Sequence, residues 1–190
     1  MEVKFIPETH EYELNGKKLP AVTEILKDLG IINAKYYTEE GSGRGKFIHS
    51  LCAEADGIEI PLLMGHYKGP LNVYVDAWLR FKEDFKFEII DIEKPIVHTG
   101  LRYAGTPDRI GKIDGEITIV DIKTGAKQSW HGLQLVAYKI ALDKMTLGIK
   151  AKTLVVYLKE NGKYNLGRFN EKYLTGIWLN ILSVYGFKYG

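Results

Sequence analysis

The stretch Tyr103–Gly125, YAGTPDRIGKIDGEITIVDIKTG, decides the fold. Two β-rich runs, Tyr103–Ile110 and Glu116–Lys123, flank Asp114-Gly115, a dipeptide that accepts the two positive φ angles of a type I′ hairpin turn. That turn sets the register. Ile113 faces Glu116, and counting outward along both runs brings Asp108 opposite Asp121. Facing residues of antiparallel strands lie roughly 4.5–5.5 Å apart and project to one side of the sheet. Lys123 follows Asp121 by two residues and projects to that side as well. Two acids and one base therefore converge on one face of a hairpin.

Ile117, Ile119, Val120 and Ile122 make the second run apolar enough to be central in a sheet. Carboxylates placed there are costly unless they are paired or bind a cation. Taken alone, the hairpin fits two readings. One is a structural Asp–Lys ion pair beside a solvated Asp. The other is a site for a hard divalent cation, Mg²⁺ or Mn²⁺, which takes carboxylate oxygens and keeps several waters. In the second reading the Lys123 ammonium holds an anionic substrate oxygen or orients an attacking water.

Pro107-Asp108 followed by Asp121-Ile122-Lys123 has the form PD…(D/E)xK and resembles the signature of the PD-(D/E)XK nuclease superfamily. The longer context resembles its RecB-like exonuclease branch. A small-residue stretch, Ala104-Gly105-Thr106, precedes the first acid, and DxKTG occupies Asp121–Gly125. A QxxxY helix follows at Gln134 and Tyr138, and a GxxxH helix lies upstream at Gly45–His49. PD…DxK alone is a weak pattern; four motifs in the family's order from Gly45 to Tyr138 are a specific one.

The resemblance implies an α/β chain of restriction-endonuclease-like fold, a mixed central β-sheet flanked by helices, and metal-dependent hydrolysis of phosphodiesters. It implies that Asp108, Asp121 and the Ile122 main-chain carbonyl hold Mg²⁺ or Mn²⁺, with His49 as a further ligand. Lys123 would then orient the water or stabilise the phosphorane, while Gln134 and Tyr138 position the nucleic-acid strand. Glu93 stands where relatives often carry another acid, and is either a secondary metal contact through water or a solvated carboxylate. Arg44 either meets a phosphate or is solvated; Trp130 and His131 either stack on a base or pack inside. The implied partner is DNA with a free end, and the implied activity an exonuclease of recombination, repair or phage DNA processing. Two alternatives stand beside it: a structure-specific or restriction-type endonuclease with the same metal site, and a non-catalytic DNA-binding domain of the same fold. The first often lacks the upstream histidine and the QxxxY helix. The second would have lost an acid or the lysine, and neither is lost here.

At 190 residues the chain is expected to be one domain, 1–190, with a hairpin and helix in 1–40 as an extension of it. A net charge of +2 advertises no broad basic surface, so any DNA contact must come from a local cleft. Cys52 is the sole cysteine, which excludes a disulfide framework or a four-cysteine cluster within the chain. No signal-peptide pattern and no apolar run of 18 residues is present, so a cytoplasmic protein without membrane contact is expected. The sequence names no protein partner.

Along the chain, Val3–Leu14 alternates loosely and Asn15-Gly16 turns it into Lys17–Leu19, with His10 read as a surface residue. A helix is expected near Thr23–Leu29, capped by Thr23 and stopped at Gly30. Thr38–Gly45 lacks the GK[ST] of a phosphate-binding loop and reads as a mobile entry to a helix over Arg44–Asp56. A turn-rich loop, Gly57–Pro70, precedes a helix over Leu71–Phe85, with Leu71, Tyr74, Val75, Trp78, Leu79 and Phe85 as its core stripe. Phe87–Val97 reads as one strand, Gln128–Lys144 as a helix, and Lys152–Leu158 as a strand that Asn161-Gly162 turns into Lys163–Phe169. A final helix starts near Asn170.

Overall fold

Asn15-Gly16 and Asp114-Gly115 both adopt positive φ at their two residues (51° and 73°; 52° and 79°), and each closes a hairpin as its composition demands. The computed structural model describes residues 3–6, 9, 11–33, 39–58, 71–146 and 148–189. His10, Thr38 and most of the expected 57–70 loop lie outside them. The first turn joins β2 (Glu11–Leu14) to β3 (Lys17–Leu19). The segment expected as one loose run also contains β1 (Val3–Ile6), which pairs antiparallel with β2 in a three-stranded sheet.

Helix α1 (Val22–Asp28) is capped two residues earlier than the Thr23 hydroxyl suggested: Ala21 is its N-cap and donates its N–H to Glu24 Oε2 at 3.2 Å. Gly30, at φ 70°, ends it: Ile31 N–H donates to Leu26 O and Gly30 N–H to Lys27 O, both at 2.9 Å. Helix α2 (Glu39–Ala55) starts well before Arg44 and runs through the glycines expected as a mobile entry. Helical glycine costs about 1 kcal/mol against alanine. Full burial of side chains such as Ile48 and Leu51 contributes about 1.5–3 kcal/mol each, which outweighs it. Helix α3 (Asn72–Asp84) buries Tyr74, Ala77, Trp78 and Phe81; Leu79, expected in the stripe, faces solvent.

Two expected strands are broken. Phe87–Val97 divides into β4 (Glu88–Ile92) and β5 (Ile96–His98) at Glu93, whose φ is 47°. Tyr103–Ile110 divides into β6 (Tyr103–Gly105) and β7 (Arg109–Ile113) at Thr106-Pro107-Asp108, where proline supplies no ladder N–H. β5 and β6 pair with each other, while β4 and β7 enter a five-stranded sheet. The remaining elements are β8 (Glu116–Lys123), α4 (Trp130–Met145), β9 (Lys152–Leu158), β10 (Tyr164–Gly167) and α5 (Glu171–Tyr189). The five-stranded order is β10-β9-β8-β7-β4; only β8 and β9 are parallel, joined through α4 as a parallel pair requires.

This is the mixed α/β sheet flanked by helices that the sequence implied, and alternation along its strands builds two cores. Ile119, Val155 and Tyr157 pack with α1, α4 and α5, whereas Val120, Ile122, Leu154 and Val156 pack with α2 and α3. Asp121 and Lys123 have the parity of Ile119 and so belong to the α4 side of β8. No helix among the described residues is long and apolar enough to cross a membrane.

Candidate active site

The β7–β8 ladder runs from Ile113 opposite Glu116 to Arg109 opposite Val120. Asp108 stands one residue beyond the last rung, outside the strand, where Pro107 has broken the pairing. Its side chain completes what the main chain leaves off: Asp108 Oδ2 accepts the Ile122 N–H at 2.6 Å. The first acid is thereby held against the strand that carries the second. His49, from the middle of α2, brings Nδ1 to 3.3 Å from Asp108 Oδ1, and Lys123 Nζ lies 2.6 Å from Asp121 Oδ2. The ammonium makes an ion pair there but lies off the hydrogen-bonding direction, so buried Asp121 Oδ2 has no aligned donor.

The charges are coupled. Burial pushes the Asp121 carboxyl above the usual carboxylate range and nearby Asp108 adds to this, with Lys123 opposing. Burial acts on Asp108 too, but His49, Lys123 and the Ile122 N–H overcome it and hold that carboxyl low. For His49, burial opposes protonation and Asp108 more than restores it.

Gln134 and Tyr138 sit one turn apart on α4, joined by a 2.9 Å bond from Gln134 Nε2 to the Tyr138 hydroxyl. Both are buried, and the Tyr138 hydroxyl feels the charges of Asp121 and Asp108. Gly105 explains the small-residue stretch before Pro107: a Cβ there would meet Tyr138 Cε1 at 2.3 Å. Thr106 Oγ1 lies 2.6 Å from the Tyr12 hydroxyl. A cavity of about 630 Å³ adjoins the site and is lined by Arg44, Gly45, His49, Lys123, Trp130 and His131, among others. In it Arg44 is partly exposed and 3.6 Å from Glu160, while the Lys123 ammonium lies 5.6 Å from the Trp130 ring centre. His131 is buried, with Nδ1 2.8 Å from the Tyr157 hydroxyl. A second cavity, about 410 Å³ by Glu116, Thr118 and Lys152, contains none of the candidate residues.

The structure thus brings His49, Asp108, Asp121, Ile122 and Lys123 together, backs them with Gln134 and Tyr138, and puts Arg44 and Trp130 on the adjoining wall. Glu93 is placed differently: its side chain is exposed, and its N–H donates to the Asp108 carbonyl at 3.1 Å. Among the described residues, no three His, Cys, Asp or Glu side chains are grouped to hold an ion by themselves. Each acid is turned to its own basic partner. The donor set nevertheless suits a hard cation, because it offers two carboxylates and a buried carboxylate oxygen with no aligned donor.

One cluster escaped the sequence reading. Asp56, just past α2, is paired with Arg109, and both side chains are fully buried. The one available signal was an arginine at the head of an apolar strand.

The sequence profile of the PD-(D/E)XK nuclease superfamily matches residues 34–175. Among curated proteins, none matches the sequence. Among solved structures, a candidate exonuclease from Eubacterium rectale aligns over 88% of this chain and 72% of its own, with a TM-score of 0.50 and 12% identity, a likeness of fold. The structure SSO0001 aligns over 86% of this chain and 84% of its own at 13% identity, but its TM-score is 0.32 and it carries no argument.

Proposed function

This chain belongs to the PD-(D/E)XK nuclease superfamily, and we propose that it is a Mg²⁺- or Mn²⁺-dependent DNA exonuclease of recombination, repair or phage DNA processing. Members of the superfamily generally use divalent metals, and membership implies a DNA substrate. The observation that carries the reading is the pair of acids on one hairpin, buried Asp121 and half-buried Asp108, with Lys123 at 2.6 Å from an Asp121 oxygen that has no aligned donor. Asp108, Asp121 and the Ile122 carbonyl are the proposed ligands, with His49 as a further one. A bound divalent cation supplies a water of lowered pKa and neutralises charge on the phosphate.

The chain's own residues do the rest. Lys123 directs its ammonium at the attacking water or at the oxygen where negative charge develops. Gln134 and Tyr138, bonded to each other with the Tyr138 ring packed on Gly105, hold the scissile strand in line. Arg44 meets a backbone phosphate across the cavity, and Trp130 offers a ring face to a base. We read 1–190 as one nuclease domain with 1–40 as its extension; the bond from Ala104 N–H to Pro20 O and the packing of α1 against α4 support this. An intracellular site of action follows from the substrate.

End-labelled linear DNA and the same DNA as a covalently closed circle test the reading. Metal-dependent loss of the linear form with the circle intact is expected. Cleavage of the circle would identify an endonuclease, and cleavage of neither would remove the catalytic reading.

A further inference from the structure

The α3 face of the sheet contains a second set of buried charges, apart from the acids of the proposed site. Arg109 opens β7 opposite Val120 and lies under the Trp78 ring, its guanidinium carbon 5.7 Å from the ring centre. Its Nε donates to Asp56 Oδ2 at 2.7 Å, and its NH1 donates to the main-chain oxygen of Asp108 at 2.6 Å. Neither Arg109 nor Asp56 exposes any side-chain surface. Asp56 also accepts Trp78 Nε1 at 2.9 and 3.0 Å and the Lys82 ammonium.

Stability alone is a poor explanation for this set. A buried ion pair must repay the desolvation of both charges, and well-packed apolar side chains often do as well. Asp56 also sits at the wrong end of a helix, where the dipole disfavours an acid. The chain nonetheless fixes it there. Gly57, at φ 96°, ends α2 with Ile58 N–H donating to Ala53 O and Gly57 N–H to Glu54 O.

What an apolar pair could not do is reach the Asp108 carbonyl. That oxygen lies beyond the last β7–β8 rung, and it takes two donors from elsewhere: Arg109 NH1, and the Glu93 N–H at 3.1 Å. His49 and Asp56 are seven residues apart, two helical turns, and so share one face of α2. That face holds the carboxylate of Asp108 through His49 and its backbone through Asp56 and Arg109.

We propose that the buried Asp56–Arg109 pair is a positioning device that sets the main chain of Asp108, and with it the metal affinity of the active site. The proposal rests on the nuclease reading above. Arg109 and Asp56 touch no substrate; they act through Asp108.

The test is direct Mn²⁺ titration, followed by electron paramagnetic resonance of the free ion, on the full chain and three variants. Arg109→Lys keeps the charge but loses the fork that spans Asp56 and Asp108. Asp56→Asn keeps the shape and weakens the hold on the guanidinium. Both are expected to lose Mn²⁺ affinity by about 10–100-fold, the range for groups that orient a metal ligand. The Mn²⁺ concentration giving half-maximal cleavage should rise in parallel, with KM for DNA unchanged and kcat largely recovered at saturating Mn²⁺. Lys82→Met removes a partner of Asp56 that does not touch Asp108, so it should lower Tm and leave Mn²⁺ affinity unchanged. If Arg109→Lys does not fold, Asp56→Asn carries the test. Wild-type Mn²⁺ affinity in a folded Arg109→Lys or Asp56→Asn protein overturns the positioning role and leaves the nuclease reading intact. So does an equal loss in Lys82→Met, which would trace affinity to general stability. Failure of the unmodified protein to bind Mn²⁺ overturns both.

Discussion

Asp56 and Asp121 are both buried acids that pair with a base of the central hairpin, yet their surroundings differ. Asp56 is saturated: an indole N–H, a guanidinium and an ammonium converge on its two oxygens. Asp121 faces a neighbouring acid, and one of its oxygens lies beside an ammonium without an aligned donor. A saturated carboxylate has nothing left to offer a newcomer and serves to hold other groups in place. A carboxylate short of donors is costly to keep charged, and that cost is recovered when a cation or a polar substrate arrives.

Removing the charge of the underserved acid should produce the largest effect. Asp121→Asn should abolish cleavage and weaken Mn²⁺ binding by more than the roughly 10²-fold typical of changes one shell away, with the circular dichroism spectrum unchanged. Full activity in this variant would refute the assignment of the site. Lys123→Ala comes next: turnover should fall roughly 10²–10³-fold, as when a donor to developing charge is lost, while Mn²⁺ titrates almost normally. If metal is lost equally in both variants, Lys123 merely organises the acids, and the contrast with Asp56 narrows to a difference of degree.

The packing behind Asp121 gives a smaller, structural test. Gly105→Ala drives a methyl group into the Tyr138 ring and should cost about 1–3 kcal/mol, read as a lowered Tm. Gly176→Ala, on α5 with open space around it, should instead gain up to about 1 kcal/mol.

His131 adds a pH dependence. Its burial, aided by the charge of Lys123, pushes the imidazole down to about 3, against an ordinary value of about 6.5. The unfolded chain therefore takes up a proton that the folded chain refuses. This contribution to stability is complete above about pH 6.5 and is lost progressively as pH falls toward 3. Thermal melts from pH 7 to pH 4 should show that decline, with a shallower slope in His131→Gln.

Much of this was legible because it depends on local chemistry. Asn15-Gly16 and Asp114-Gly115 could adopt few other conformations, and the second fixed the register that brings Asp108 beside the Asp121 strand. Lys152–Leu158 was readable as a short apolar run between turns, and the structure has it at those bounds. The strand breaks were hidden for different reasons. Glu93 takes a positive φ without being glycine, which leaves no mark in composition. Pro107 is visible, but proline is tolerated at strand edges and ends, so its missing N–H does not by itself mark the break between β6 and β7. The start of α2 was hidden because glycine propensity argues against a helix that tertiary packing maintains. Asp56 and Arg109 could not have been paired from the sequence: 53 residues separate them, and an acid at a helix end looks solvated until its partner is seen.

The parallel pairing of β8 with β9 has a consequence for the order in which the candidate site is assembled. A two-residue hairpin closes within about 1–10 μs, so β7 and β8 can meet while the rest of the chain is still open. Asp121 is also paired with Val155, however, and that contact must wait for a loop of more than thirty residues to close through α4. A nascent chain can therefore gather its acids early, in water, where both are simply charged. The burial that sets Asp121 apart from an ordinary surface carboxylate comes later, when α4 and β9 dock over β8.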